Sequence, residues 1–176
     1  MQLAWGQKVS EQFARATISM SARLGISEPS WLMACMAFET GRTFSPCIRN
    51  AAGSGAVGLI QFMPATATAL GTTTEELATL KAEDQLLYVE LFFKPWARRL
   101  KSLGDVYGAI LWPGMIGKLD TAVIFERDDP ERPKLYLQNR GLDLNHDGHI
   151  TRGEIIARVT RELDEGLNAP NVLELL

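Results

Sequence analysis

SEPSWLMACMAFETGRTFSPCIRNAAGSGAVGLIQFMPATA, residues 27–67, is the stretch on which the reading of this chain turns. Its opening carries helix-start signals: Ser27 as an N-cap, Glu28 and Pro29 in the first turn, and Gly41 as the left-handed residue that ends the helix. Between them Trp31, Leu32, Cys35 and Met36 recur at helical spacing, and Glu39 continues that stripe four residues beyond Cys35. Glu39 is therefore expected to face inward. Against an apolar wall a carboxylate loses hydration, its charged form is disfavoured and its pKa climbs toward neutrality, which suits a general acid. The alternative is that Glu39 tips the helix end and reaches water beside Arg42, as most helical glutamates do.

Beyond the helix, Gly53, Gly55 and Gly58 separate Ser54, Ala56 and Val57, a composition that lets backbone approach a ligand closely. Glu39, then Phe44 and Pro46, then GAVGLIQFMPATA over residues 55–67 is an order that resembles the soluble lytic transglycosylases, a goose-type-lysozyme-like family. That family's motif is a Glu, a Phe and Pro shortly after, then Gly-Ala-x-Gly-Leu-x-Gln-x-Met-Pro-x-Thr-Ala. The resemblance spans about residues 31–117 and implies a mainly α, lysozyme-like helical domain. It also implies that Glu39 is the catalytic acid and base, and that Ser54, Gly55, Gln61 and Phe62 line a sugar cleft. The implied substrate is peptidoglycan, cut at the β-1,4 bond between N-acetylmuramic acid and N-acetylglucosamine.

One segment departs from the family. Where its members carry Ala-Tyr-Asn-Ala-Gly, alignment on Gly114 leaves Leu111 and Trp112 in place of Tyr and Asn, and Tyr107, one helical turn from Leu111, is the phenol that could substitute in part. The departure bears on which nucleophile finishes the reaction. A muramyl 6-hydroxyl would give the 1,6-anhydro product of a lytic transglycosylase, the favoured outcome; water would give the product of a muramidase. The water route through a second carboxylate requires roughly 6.5 to 9.5 Å between the two groups, and Asp105 is the candidate for the second. A glycan-binding or structural module of a phage particle or secretion apparatus, with Glu39 present but catalysis unimportant, is the reading from another class.

DLNHDGHITRGE, residues 143–154, fits the twelve-residue EF-hand loop position by position. Asp143, Asn145, Asp147, the His149 carbonyl and a bidentate Glu154 supply oxygens for Ca2+, and Thr151 is placed to act through a water. Gly148 allows the sharp bend. Ile155, Ile156, Val159 and Leu163 support a helix over residues 151–166, whereas YLQNRG before the loop is too brief for a full entering helix. A single structural loop that staples the last helix to the body is favoured over a calcium-regulated interaction protein, because sensors use paired hands.

The other segments read as follows. Residues 9–24, 64–70 and 72–92 have helical character, the last interrupted by Pro95, and Trp96 reads as packing. Residues 120–140 read as a loop or linker, so that 1–120 forms the catalytic domain and 121–176 the linker, calcium loop and helix packed on the core. A net charge of −3 with no basic run gives no reason to expect nucleic acid, and no apolar run is long enough to insert in a membrane. The start, MQLAWGQKVSEQF, lacks the pattern of a secretory signal, so action on the cell wall in the periplasm would require delivery by a phage particle, a lysis system or a secretion machine. The combination also resembles phage-encoded wall-degrading proteins of the endolysin type, expected to act as monomers. Cys35 and Cys47 are read as reduced, mostly buried thiols. Both histidines fall in the calcium loop, which makes a catalytic zinc site improbable.

Overall fold

The computed structural model describes residues 1–51 and 53–175 of the chain and is mainly helical. After a short strand β1 (Gln2–Leu3), Ser10 accepts the Phe13 amide and caps α1 (Glu11–Leu24), which Gly25 closes at φ 71°. Helix α2 (Pro29–Glu39) starts from an extended Glu28, one residue later than the Ser27 signal suggests. Leu32 through Ala37 are all buried, so the helix is covered on every side and not along one stripe. A helix apolar all round belongs at the centre of a core.

Next come α3 (Pro64–Ala69), α4 (Thr74–Thr79) and α5 (Ala82–Phe93). The periodicity over residues 72–92 predicts one helix, but the chain breaks at Leu80 and Lys81, whose ψ angles of 157° and 156° are extended. At the break the Leu77 carbonyl accepts from the Leu80 amide at 3.3 Å and from the Gln85 side chain at 2.9 Å. Helix α5 stops at Phe93, and a 3-10 turn over Lys94–Trp96 follows, as Pro95 dictates. Trp96 is half-buried, with the Arg99 guanidinium 5.1 Å from its ring centre.

Helix α6 (Leu103–Leu111) is capped by Ser102. The stretch expected to be a linker instead holds β2 (Val123–Glu126) and α7 (Pro133–Asn139), which runs into a 3-10 turn over Arg140–Leu142. What makes β2 a strand is a distant partner: it pairs antiparallel with β3 (His149–Thr151), inside the candidate calcium loop. Short-range periodicity cannot register such a pairing. The helical residues 133–142 also give the loop a short entering helix that the sequence did not suggest. Helix α8 (Arg152–Gly166) begins with a capping box between Thr151 and Glu154, and β4 (Leu173–Glu174) pairs with β1.

At the centre, α2 packs most extensively against α8 and also contacts α1 and α6. Its C-terminal end is latched to α8 by Arg42, whose guanidinium binds both Glu162 oxygens at 2.9 and 3.0 Å and Glu165 at 2.5 Å. That guanidinium also lies 5.2 Å from the Trp5 ring centre, and the Trp5 indole donates to the Glu162 carbonyl at 2.8 Å.

Candidate functional site

Glu39 is the last residue of α2, and the turn after it is tightly made. The Thr40 hydroxyl donates to the Met36 carbonyl and accepts from the Phe44 amide, while the Arg42 amide returns to the Ala37 carbonyl at 2.7 Å. Gly41, Arg42 and Phe44 all take left-handed backbone, with φ of 56°, 69° and 51°. This turn sends the Arg42 side chain to Glu162 and Glu165. The Glu39 carboxyl is half-buried and, among the described residues, has neither a hydrogen-bond partner nor an ion pair. Burial alone raises its pKa from 4.5 to about 7.

Tyr107, the phenol singled out in the sequence, lies on α6. It is buried, its ring meets Phe38 edge-on at 5.5 Å, and burial followed by the charge of Glu39 pushes its pKa up. Cys35, one turn before Glu39, also feels that charge, and burial holds its thiol well above the usual range. Glu39 and Tyr107 are thus brought together. The Tyr107 hydroxyl forms no hydrogen bond among the described residues, so an acid and a phenol, neither engaged, share one locality.

The glycine-rich loop is built separately. The Val57 amide donates to the Phe62 carbonyl at 3.1 Å, the Phe62 amide returns to Val57 at 2.8 Å, and the Gly58 amide reaches the Ile48 carbonyl at 2.9 Å. Gln61, at φ 51°, turns its side-chain amide onto the Gly58 and Ile48 carbonyls at 3.1 and 3.3 Å. Phe62 is buried and meets Phe92 edge-on, whereas Ser54 is exposed and accepts the Ala56 amide. Gly55 lies against Pro64. Among the described residues no hydrogen bond, ion pair or ring contact joins Glu39 to Ser54, Gly55, Gln61 or Phe62.

Gln85 organises this loop. Its Oε1 accepts the Leu59 amide at 2.7 Å, and its Nε2 donates to the Pro46 and Leu77 carbonyls at 3.0 and 2.9 Å. Gly58 is required here, because at φ 80° a Cβ would stand 2.3 Å from Gln85 Oε1. Sequence reasoning missed Gln85, yet a signal existed: Gln85, Val89 and Phe93 share one buried face at four-residue spacing.

Asp105, the candidate second carboxylate, is already engaged. Its Oδ2 accepts the Lys101 amide, and its Oδ1 accepts the Gly117 amide and the buried Arg152 guanidinium, at 3.0, 2.8 and 3.1 Å. Burial opposes ionisation, but the Gly117 and Lys101 amides, Ser102 and Arg152 together hold the carboxyl below its ordinary range.

In the loop of residues 143–154, Gly148 has φ 91° and donates its amide to Asp143 Oδ2 at 3.1 Å. Asn145 Oδ1 accepts the Asp147 amide, Asp147 Oδ1 accepts the His149 amide, and Glu154 Oε1 accepts the Leu144 amide. Glu154 Oε2 takes the Thr151 amide and hydroxyl. Among the described residues, Asp143 Oδ1 is buried without a hydrogen-bond partner. An unmet buried carboxylate oxygen in a loop rich in further side-chain oxygens fits a hard cation. Among the described residues no three His, Cys, Asp or Glu side chains converge as a ready-made metal cluster; the donors here are mixed with an amide and a backbone carbonyl.

Both cysteines are free, and Cys47 is exposed, not buried. No helix among the described residues is long and apolar enough to cross a membrane. Comparison with protein-family models, with curated proteins and with solved structures finds no match to this chain.

Proposed function

We propose that the chain is a peptidoglycan-cleaving enzyme of the lytic transglycosylase type, with a lysozyme-like fold and Glu39 as its one acid and base. The observation that carries this is the Glu39 carboxyl itself: half-buried, raised to about 7 and, among the described residues, without a hydrogen-bond or ion-pair partner, near a phenol that forms no hydrogen bond there either. Such a group is protonated often enough near neutral pH to donate, and ionised often enough to accept. Glu39 protonates the bridging oxygen as the glycosidic bond breaks and positive charge grows on the muramyl sugar. The resulting carboxylate then takes the proton of the muramyl 6-hydroxyl as that oxygen bonds to the anomeric carbon, closing the 1,6-anhydro ring and restoring the acid. Tyr107 is the neighbour suited to orient the acid or the sugar.

The engagement of Asp105 by Arg152 and two backbone amides favours this route over hydrolysis, because it removes the candidate second carboxylate. Replacing Glu39 by Gln tests the reading: clearing of purified cell walls should collapse while glycan binding persists. Unchanged clearing would remove Glu39 from the mechanism, and a wild-type chain that binds glycan without clearing walls would favour a binding module. Mass analysis of released muropeptides separates the two products, which differ by one water.

The loop of residues 143–154 is read as a structural calcium site, held by Asp143, Asn145, Asp147, the His149 carbonyl and Glu154, with Thr151 acting through a water. Calcium would neutralise the loop's carboxylates and tie β3 and α8 to the body. Calorimetric titration of calcium into the chelator-stripped chain checks it; absence of heat and of any change in melting temperature would refute it.

A further inference from the structure

Asp143 opens the candidate calcium loop, is only 2% exposed, and its two oxygens are treated differently. Oδ2 accepts from the Gly148 amide at 3.1 Å and from the Tyr136 hydroxyl at 2.5 Å. Oδ1 is buried and, among the described residues, has no hydrogen-bond partner. Gly148 belongs to the loop and its contact is part of the loop's own bend. Tyr136 does not belong to it: it stands on α7, seven residues before Asp143.

Tyr136 is itself held. Its hydroxyl accepts from Arg127 Nη2 at 3.1 Å, and the guanidinium lies 5.3 Å from its ring centre. Arg127 follows β2 directly, its amide bonds the Gly148 carbonyl at 2.9 Å, and its side chain covers Gly148 so closely that a Cβ there would meet it at 3.1 Å. Two segments outside the loop therefore converge on its first carboxylate. An hydroxyl that already accepts from a cation donates more strongly, so the chain from Arg127 through Tyr136 to Asp143 is polarised in one direction.

A carboxylate free to rotate can offer an ion either oxygen or both. With Oδ2 occupied by two donors, its plane is set and Oδ1 alone is presented. We propose that Tyr136, anchored by Arg127, is a positioning residue for calcium: it ties down Oδ2 of Asp143 so that Oδ1 meets the ion, and thereby sets the affinity of the loop. This rests on the reading of residues 143–154 as a calcium site. Partners of this kind, which touch a ligand and not the ion, are worth roughly 10- to 100-fold in metal affinity. Arg127 has a second effect of opposite sign, because its charge lies 3.9 Å from Asp143 Oδ2 and repels a divalent ion. Its side chain is half-exposed, so solvent screens that repulsion, and the two effects of Arg127 partly cancel.

The test is titration of calcium chloride into the full-length, chelator-stripped chain, followed by calorimetry. Tyr136→Phe should raise Kd about tenfold or more, and Arg127→Gln should change it by less than Tyr136→Phe does. Should Tyr136→Phe be unfolded without the ion, calcium-driven recovery of its far-ultraviolet circular dichroism gives the same comparison. A Tyr136→Phe chain that binds as the wild type does, while Asp143→Asn abolishes binding, overturns the role of Tyr136 and leaves the calcium site standing. A wild-type chain that takes up no calcium overturns both.

Discussion

Replacing Glu39 by Gln should make the protein more stable at pH 8 and leave its stability nearly unchanged at pH 4. The side chains have the same shape, so the difference lies in ionisation. In the unfolded chain the carboxyl titrates near 4.5, and in the fold near 7, with burial as the cause. The fold prefers the protonated form, so it binds more protons than the unfolded chain between those two values, and stability falls as pH rises through that window. Below it both states are neutral and nothing is lost. Above it the loss is complete: a rise from 4.5 to about 7, at about 1.4 kcal/mol per pH unit, comes to about 3 kcal/mol. For a chain of 176 residues that corresponds to roughly 6 to 12 °C in melting temperature. Urea denaturation of wild type and Glu39→Gln at pH 4 and pH 8 gives the answer as a difference of differences, in which other titrating groups cancel. An equal gain at both pH values, or a loss at pH 8, would refute the claim that Glu39 is neutralised by its surroundings, whatever the chain's activity.

If Glu39 is the acid, the kcat/KM of wall clearing should drop about tenfold per pH unit above about pH 7, and an alkaline limb far from that value would point to another donor. Gly58→Ala forces a Cβ onto Gln85 and unseats a side chain that serves three backbone groups, so it should cost about 2–4 kcal/mol in urea denaturation. Arg152→Met leaves Asp105 buried without its cation and should cost about 3–5 kcal/mol; adding Asp105→Asn should recover part of that loss in a double-mutant cycle. Calcium at a hundred times its Kd should add about 2.7 kcal/mol to stability, seen as a higher melting temperature that chelator reverses and Asp143→Asn lacks.

The helices were largely legible because their signals are local. Ser10 and Gly25 bracket α1, Thr73 and Glu76 form a capping box at α4, and Pro95 stops α5 near Phe93, all readable from neighbours in sequence. The inward stripe on α2 was a weaker guide, since Leu32 through Ala37 are buried on all faces and the position of Glu39 depends on the turn after it. Three features were not legible. Strand β2 exists because of β3, more than twenty residues on; Arg42 is drawn from Glu39 by Glu162 and Glu165; and Tyr136 reaches Asp143 across a turn. Each depends on tertiary placement, which periodicity does not encode.

The latch between Arg42 and Glu162, and the broad packing of α2 on α8, also bear on how the protein is made. A ribosome delivers the residues of α2 long before those of α8, so a half-made chain carries a helix that is buried on every side in the fold without its main cover. The surroundings of Glu39 are completed only near the end of synthesis. Until then the nascent chain is a candidate for chaperone binding, and a product cut short before Glu162 lacks the counter-ions that draw Arg42 away from the carboxyl.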